Sequence, residues 1–348
     1  MPEFLTNIFG KTIIVHIIMG AVPLLFILPY ALVVIYVEMK LSSHMQNRVG
    51  YMRTGWHGTL QPFADIFKLL QKENIVPAEA DKILFSLAPF IVFIGMYAAY
   101  AVLPFGSGYV GSEMEIGIFY LLAVSSLVVV GILMAGWSSN NKWSLLGAMR
   151  SVAQIVSYEI PAALALLGVV MLAGTMNTEM LSAMQSGGMH EWFIFGGTLP
   201  LWKKFTIIPF MFIIFLVYLV SSMAEVNRTP FDLPEAESEL VQGYNTEYSG
   251  MKFAIFYLAE YGNLFLISAI AVIVFFGGYT SPFGKFLSGG VWDVFWFITK
   301  GMLLVLINIW IRWTLPRLRV DQLMYVSWKV LTPFALVGII VIGFILVV

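Results

Sequence analysis

The chain has 348 residues, of which 59% are hydrophobic and only 11% charged, and its formal net charge is −1 at pH 7. With a mean hydropathy of +0.87 and long apolar runs throughout, it reads as a polytopic membrane protein in which the bilayer replaces a soluble core. That charge balance gives nucleic acid no footing. The absence of cysteine excludes a disulfide, a Cys-ligated iron–sulfur cluster and a covalent c-type haem in this chain.

The start, Met1 to Lys11, lacks the basic region and cleavage site of a signal peptide, so the first apolar run is expected to span. A window of about 19–20 residues predicts about eight spans, near 13–37, 83–105, 116–136, 147–173, 206–225, 252–277, 292–314 and 329–347. The expected fold is all-α: one membrane domain over 1–348, with loops at 38–82 and 226–251. Within the first loop, Phe63, Ile66, Phe67 and Leu70 follow the spacing of one helical face, with Asp65, Lys68 and Lys72 opposite and Pro62 at a first helical position. That pattern predicts an interfacial amphipathic helix over Thr59 to Glu73. The segment 174–205 carries Trp192, Phe193, Phe195 and Trp202, which read as belt aromatics at a membrane surface.

Lysine and arginine set the orientation. Of 19 such residues, 14 lie at or near the connections after spans one, three, five and seven; the other side holds Lys11, Lys203, Lys204 and Lys285, and Lys300 falls inside a span. The positive-inside rule therefore predicts that both termini lie outside the cytoplasm and that the loops 38–82 and 226–251 face in. No repeat relates the two halves, so the inverted-repeat signature of many transporters is missing.

The stretch Glu225 to Gly250 gathers Glu225, Asp232, Glu235, Glu237, Glu239 and Glu247 around one base, Arg228, between two apolar runs. A solvated loop is the plain reading; an acidic funnel that takes up protons or senses charge is the sharper one. Glu159 and Glu260 lie within the fourth and sixth spans without an evident base nearby, beside Gln154 and Tyr158 in one case and Tyr257 and Asn263 in the other. Pro161 cannot donate to the carbonyl of Ser157, which leaves the backbone next to Glu159 open to water or a side chain. Glu38 and Glu225 sit at the ends of the first and fifth spans. Carboxylates in series at membrane depth suit a proton relay; the alternative is a set of braces between helices. Only His16 lies in a span, against the two histidines a b-type haem needs, and no Walker A, Rossmann or HExxH motif occurs. The chain is expected to perform no covalent chemistry by itself.

Four motifs then stand in order along nearly the whole chain. They are Gln61-Pro62-x-Ala64-Asp65-x-x-Lys68; AQIVSYEIP around Glu159; the acidic loop running into FAIFYLAEYGN (Phe253 to Asn263); and RWTLPRLRVDQLM from Arg312 to Met324. With them the chain resembles the membrane H-subunit family of respiratory complex I, the counterpart of mitochondrial subunit 1. The resemblance implies a component of an NADH:quinone oxidoreductase that links the redox arm to the membrane arm. Such a component lines the quinone chamber and begins the line of acids leading to antiporter-like subunits. It implies quinone as substrate at the interface, with iron–sulfur clusters and flavin only in partner subunits and no cofactor held covalently. The implied partners are the peripheral-arm subunits of the quinone site, small and antiporter-like membrane subunits, and membrane lipid, in a bacterial cytoplasmic (inner) membrane. Matched residue by residue, Glu38, Asp65, Lys68, Arg228 and Asp232 fall at the chamber. Glu159, Glu225, Glu235, Glu237, Glu239, Glu247 and Glu260 fall on the proton path.

Two departures bear on the chamber mouth. Glu38-Met39-Lys40 stands where the family commonly has Glu-Arg-Lys, and Arg48-Val49-Gly50-Tyr51-Met52 where it has Arg-x-Gly-Pro-Asn. Two rival readings remain at this point: a hydrogenase-type anchor protein of the same fold, and an ion-coupled transporter acting alone.

Overall fold

Apolar runs of this length can satisfy their backbone in lipid only as helices or closed barrels, and among the described residues no strand occurs. The computed structural model describes residues 13–233, 237–284 and 286–347, apart from the side chains of 13–19 and 237–238. In chain order the helices are α1 (Ile13–Met45), α2 (Gln61–Gln71), α3 (Lys82–Ala99), α4 (Gly117–Ser138), α5 (Lys142–Ala173), α6 (Thr178–Ala183), α7 (Leu201–Glu225), α8 (Glu237–Leu240), α9 (Gly250–Phe275), α10 (Val291–Thr314), α11 (Val320–Tyr325) and α12 (Thr332–Val347). A π-helical turn, Val326–Leu331, joins α11 to α12, so they form one span. Among the described residues, eight helices are long and apolar enough to cross a membrane.

The span ends follow local capping rather than hydropathy alone. Helix α5 begins at Lys142, not near 147, because Asn141 accepts from the Trp143 amide at 2.9 Å. It stops where Gly174 turns left-handed at φ 72°. Asp81 caps α3 in the same way through the amides of Ile83 and Leu84. The last span begins at Val320 rather than near 329, since the π turn carries the helix through.

Helix α9 is the axis of the bundle, packed against α1, α2, α3, α5, α6, α7 and α10, while α3, α4, α5, α7 and α12 form the flank. Buried tyrosines fix its register: Tyr100 donates to the Gly262 carbonyl at 2.7 Å, and Tyr218 to the Ile267 carbonyl at 3.0 Å. The described part of the loop between α7 and α9 is folded onto the bundle rather than left in solvent. Gly147 of α5 lies so close to Gly243 that a Cβ there would sit 2.6 Å from the Gly243 Cα. Tyr248 stacks on Phe85 with ring centroids 4.1 Å apart, and burial pushes its phenol up to about 12.

We call the end of the bundle that carries Arg228 the basic end, and the other the far end. At the far end, residues 174–200 form a cap rather than an open belt. Trp192 and Phe193, expected at the membrane surface, are buried; Phe195 and Trp202 are exposed as expected. Gln185, fully buried, rivets this cap to α9: its amide donates to the Leu181 and Ile273 carbonyls and accepts from the Phe193 and Gly277 amides. Lys300 of α10 completes the closure. Its ammonium lies 2.8, 3.0 and 2.7 Å from the carbonyls of Phe276, Gly278 and Thr280, and 4.9 Å from the centre of the Trp192 ring. It acts as the cationic cap of the C-terminus of α9.

Replacing Lys300 with Met leaves these carbonyls without their donor, at about 1–3 kcal/mol for each buried group left unpaired. The expected result is earlier heat-induced unfolding of the α9 end, with near-normal activity in protein that remains folded. Unchanged thermal stability would remove this role.

Candidate functional site

Four segments meet at the basic end, and each delivers a charge. Glu38 lies in the last turns of α1, Arg228 three residues beyond the end of α7, Glu260 in α9 and Arg312 in the last turn of α10. Arg228 is 2% exposed and lies between two carboxylates: its Nη1 is 3.2 Å from Glu38 Oε2 and its Nε 3.1 Å from Glu260 Oε1. Glu38 also accepts from Arg312 Nη1 at 2.5 Å and from the Tyr261 hydroxyl at 2.8 Å. The guanidinium carbon of Arg228 lies 4.5 Å from the centre of the Tyr261 ring, a cation–π contact. Burial works against the charge on Arg228, yet the Glu38 and Glu260 carboxylates hold its proton well above the ordinary guanidinium range.

This arrangement corrects two expectations. Among the described residues, Arg228 pairs with none of the loop acids around it in sequence; it pairs with acids of α1 and α9. Glu260, expected to lack a base, has one in Arg228. The loop acids find other partners or lie apart. Asp232 pairs with Arg317 at 3.0 Å, and burial raises its carboxyl above the usual range despite Arg317 and Arg312. Glu239 meets Arg150 at 2.9 Å in a largely solvent-facing pair, and Glu247 accepts from Asn141 at 2.6 Å. Glu235 and the side chain of Glu237 lie outside the described residues.

Glu225 and Glu159 form a second, unneutralised group. Neither takes part in an ion pair among the described residues, and Glu225 Oε1 is buried without a hydrogen-bond partner, as is Ser221 Oγ. Glu159, Glu225 and Asn263 line one cavity of about 40 Å³ between α4, α5, α7 and α9. Glu225, Glu260 and Asn263 line a second of about 20 Å³. Each has room for water beside its polar groups. Glu225 and Asn263 belong to both, so Glu159, Glu225 and Glu260 lie along one seam of two adjoining, largely apolar cavities that ends at Arg228.

The backbone beside Glu159 is open to a side chain, as expected, and one fills the opening. Ser327 of the π turn donates its hydroxyl to the Ser157 carbonyl at 2.6 Å, the acceptor that Pro161 leaves free. Tyr158 donates to the Leu323 carbonyl at 2.9 Å. Gln154 holds the α7–α8 connection, its amide nitrogen lying 2.8 Å from the Ala224 carbonyl and 2.7 Å from that of Phe231.

Asp65 and Lys68 stand apart from this seam on α2. Asp65 accepts from Gln61 at 3.1 Å and Lys68 is exposed. Phe63, Ile66, Phe67 and Leu70 are exposed along the predicted apolar face. Near the two sequence departures, Lys40 donates to the Tyr51 carbonyl, so the first loop is tied to α1 by an ammonium where the family has a proline turn. The site residues that sequence reasoning missed are Arg312, Arg317, Tyr261 and Ser327. Both arginines lay inside a noted motif, but nothing in linear spacing joins Arg312 to Glu38 or Arg317 to Asp232.

A family model described as NADH dehydrogenase matches residues 18–343. The chain is 54% identical to the H subunit of NADH-quinone oxidoreductase from Chlorobaculum tepidum, over 92% of this chain and 90% of the relative. It is 44% identical to the H subunit from Phocaeicola vulgatus, over 100% and 94%. To the first of the numbered H subunits of Geobacter sulfurreducens it is 43% identical, over 97% of each. The chain belongs to the H-subunit family of NADH-quinone oxidoreductase. As an H subunit, it takes part in catalysis within the assembled oxidoreductase, and the hydrogenase-anchor and lone-transporter readings fall away.

Arg228→Leu should strip Glu260 of its base and Glu38 of one of two, at about 3–5 kcal/mol for a broken buried pair. Assembly of the complex should fall sharply. Lys in its place should restore only part, because it cannot present a fork to two carboxylates. Adding Glu260→Gln to Arg228→Leu should recover some assembly by removing an unpaired charge; native-gel yield measures all three. Ser327→Ala should lower thermal stability by about 1–3 kcal/mol through the exposed Ser157 acceptor, as read by thermal unfolding of the purified complex.

Proposed function

We propose that this H subunit lines the quinone chamber at its basic end and couples quinone reduction to proton movement along Glu260, Glu225 and Glu159. The observation that carries the reading is the seam itself: a neutralised network, Arg312–Glu38–Arg228–Glu260, borders two small cavities, and beyond Glu260 their acids Glu225 and Glu159 have no base among the described residues. A change of charge on a quinone beside the network alters the balance among its four groups. The altered hold of Arg228 on Glu260 then changes whether Glu225 and Glu159 keep or release a proton. Asp65, Lys68 and Asp232 belong to the rim of the chamber. Glu239 and Glu247 lie where protons enter, and Glu235 and Glu237 complete that acidic stretch in sequence. The electrons come from partner subunits.

Glu→Gln keeps size and hydrogen bonding but cannot ionise. With Gln at Glu159 and Glu225 together, the complex should assemble while NADH-driven proton pumping in vesicles falls severely, normalised to assembled complex. Full pumping would return these acids to a bracing role.

The distribution of lysine and arginine supports a cytoplasmic basic end and periplasmic termini in a bacterial inner membrane. Val49 and Ser186 are exposed at opposite ends of the bundle. Single cysteines there, in a chain without cysteine, should react with an impermeant thiol reagent on intact cells at 186 and not at 49. The reverse pattern would invert the orientation.

A further inference from the structure

At the far end, remote from the ionic network, an open groove of about 480 Å³ runs down the side of α7 between the cap and the first turns of the helix. Phe195, Leu201, Phe205 and Ile208 line it, and Lys204 stands at its mouth. Leu201 and Phe205 are 74% and 77% exposed, so the chain itself does not fill the groove. One ammonium, that of Lys204, belongs to its lining, and Lys203 is its neighbour in the first turn of α7. Lys204 donates to the His190 carbonyl at 3.1 Å, which leaves two of its protons free. The Lys203 ammonium lies 5.2 Å from the centre of the Trp202 ring, and Trp202 is itself exposed. Glu191 of the cap accepts from the Gly187 amide at 2.7 Å through one carboxylate oxygen, and its other oxygen lies 3.9 Å from the His190 imidazole.

The depth of these residues identifies the occupant. Helix α7 has 25 residues and is therefore about 37 Å long, against a hydrocarbon core of about 30 Å. Its first turn, with Trp202, Lys203 and Lys204, lies at headgroup level, and Phe205 and Ile208 face the upper acyl region. An apolar groove with one lysine in its lining and a second next to it in the helix matches a molecule with hydrocarbon tails and a negative head. We propose that this groove is a binding site for an anionic phospholipid, its phosphate held by Lys203 and Lys204 and one acyl chain lying along Phe205 and Ile208. A helix from a neighbouring protein would need no pair of ammonium groups at the headgroup plane, and a zwitterionic lipid would gain little from them.

The test uses the assembled oxidoreductase in phosphatidylcholine vesicles doped with a photoactivatable phosphatidylglycerol or, separately, a phosphatidylcholine analogue with identical tails. Cross-linked peptides are mapped by mass spectrometry. The phosphatidylglycerol analogue should label the segment 189–208 in preference to the phosphatidylcholine analogue. K203Q/K204Q should cut that preference by roughly tenfold or more, since each interfacial lysine favours anionic lipid by about fivefold. K203R/K204R should retain it. Equal labelling by both analogues would overturn the proposal in favour of ordinary boundary lipid, and cross-linking of the groove to another protein of the complex would overturn it in favour of a protein partner. If K203Q/K204Q does not assemble, competition in the unaltered complex decides the point. Unlabelled phosphatidylglycerol should suppress the labelling where phosphatidylcholine does not, and equal suppression by the two would sink the site.

Discussion

A guanidinium buried among membrane helices has to be neutralised where it stands, and Arg228 organises the basic end for that reason. One arginine between Glu38 and Glu260 leaves an excess negative charge, which Arg312 balances from α10. The requirement brings α1, α9, α10 and the connection after α7 to one level, because no member can withdraw without leaving an unpaired ion at a cost of several kcal/mol. Tyr261 strengthens the arrangement twice over, as a donor to Glu38 and as a ring under the guanidinium. The chain thus acquires a precise meeting point of four segments from charges that hydropathy alone would count as a penalty.

Beyond Glu260 the constraint changes character. Glu225 and Glu159 have cavities rather than bases, and the helices around them are held by contacts that involve no ionic charge. The carbonyl freed by Pro161 is stitched to the π turn through Ser327, and Gln154 ties α5 to the end of α7. These bonds fix the backbone while leaving the two carboxyl groups without an ionic partner. An acid in such a position is free to change protonation without dismantling its surroundings, which ion-paired Glu38 is not.

Much of this was legible in the sequence. Hydropathy marked eight spans because lipid leaves the backbone few alternatives, and α2 was legible because its apolar spacing and Pro62 act locally. Glu159, Glu225 and Glu260 stood out as carboxylates with long apolar runs to one side or both. The pairings were not legible. Arg228 is adjacent in sequence to the loop acids, yet its partners come from residues 190 and 32 positions away, and only the packing of α1 and α9 selects them. Trp192 and Phe193 misled for a related reason: an aromatic near a span end looks the same whether it meets lipid or a folded cap. Ser327 gave no signal, since a serine in an apolar run shows its value only when the acceptor freed by a proline lies opposite it.

The two ends of the bundle therefore answer a nearby charge differently. At the far end the strong donors, Lys300 and the amide of Gln185, are committed to backbone carbonyls, whose dipoles do not titrate. At the basic end the strong contacts join ionisable side chains. At an effective dielectric near 20, a unit charge appearing 10 Å away is worth roughly 1.7 kcal/mol, comparable to the net value of one hydrogen bond, about 0.5–1.5 kcal/mol. Such a charge can shift the sharing of Arg228 between Glu38 and Glu260, because either carboxylate can gain what the other loses. It cannot redistribute Lys300 in the same way, since all three of its acceptors are backbone carbonyls of the one short turn that follows α9. The fold thus pairs a fixed end with an adjustable one, and the adjustable end is where the unneutralised acids begin.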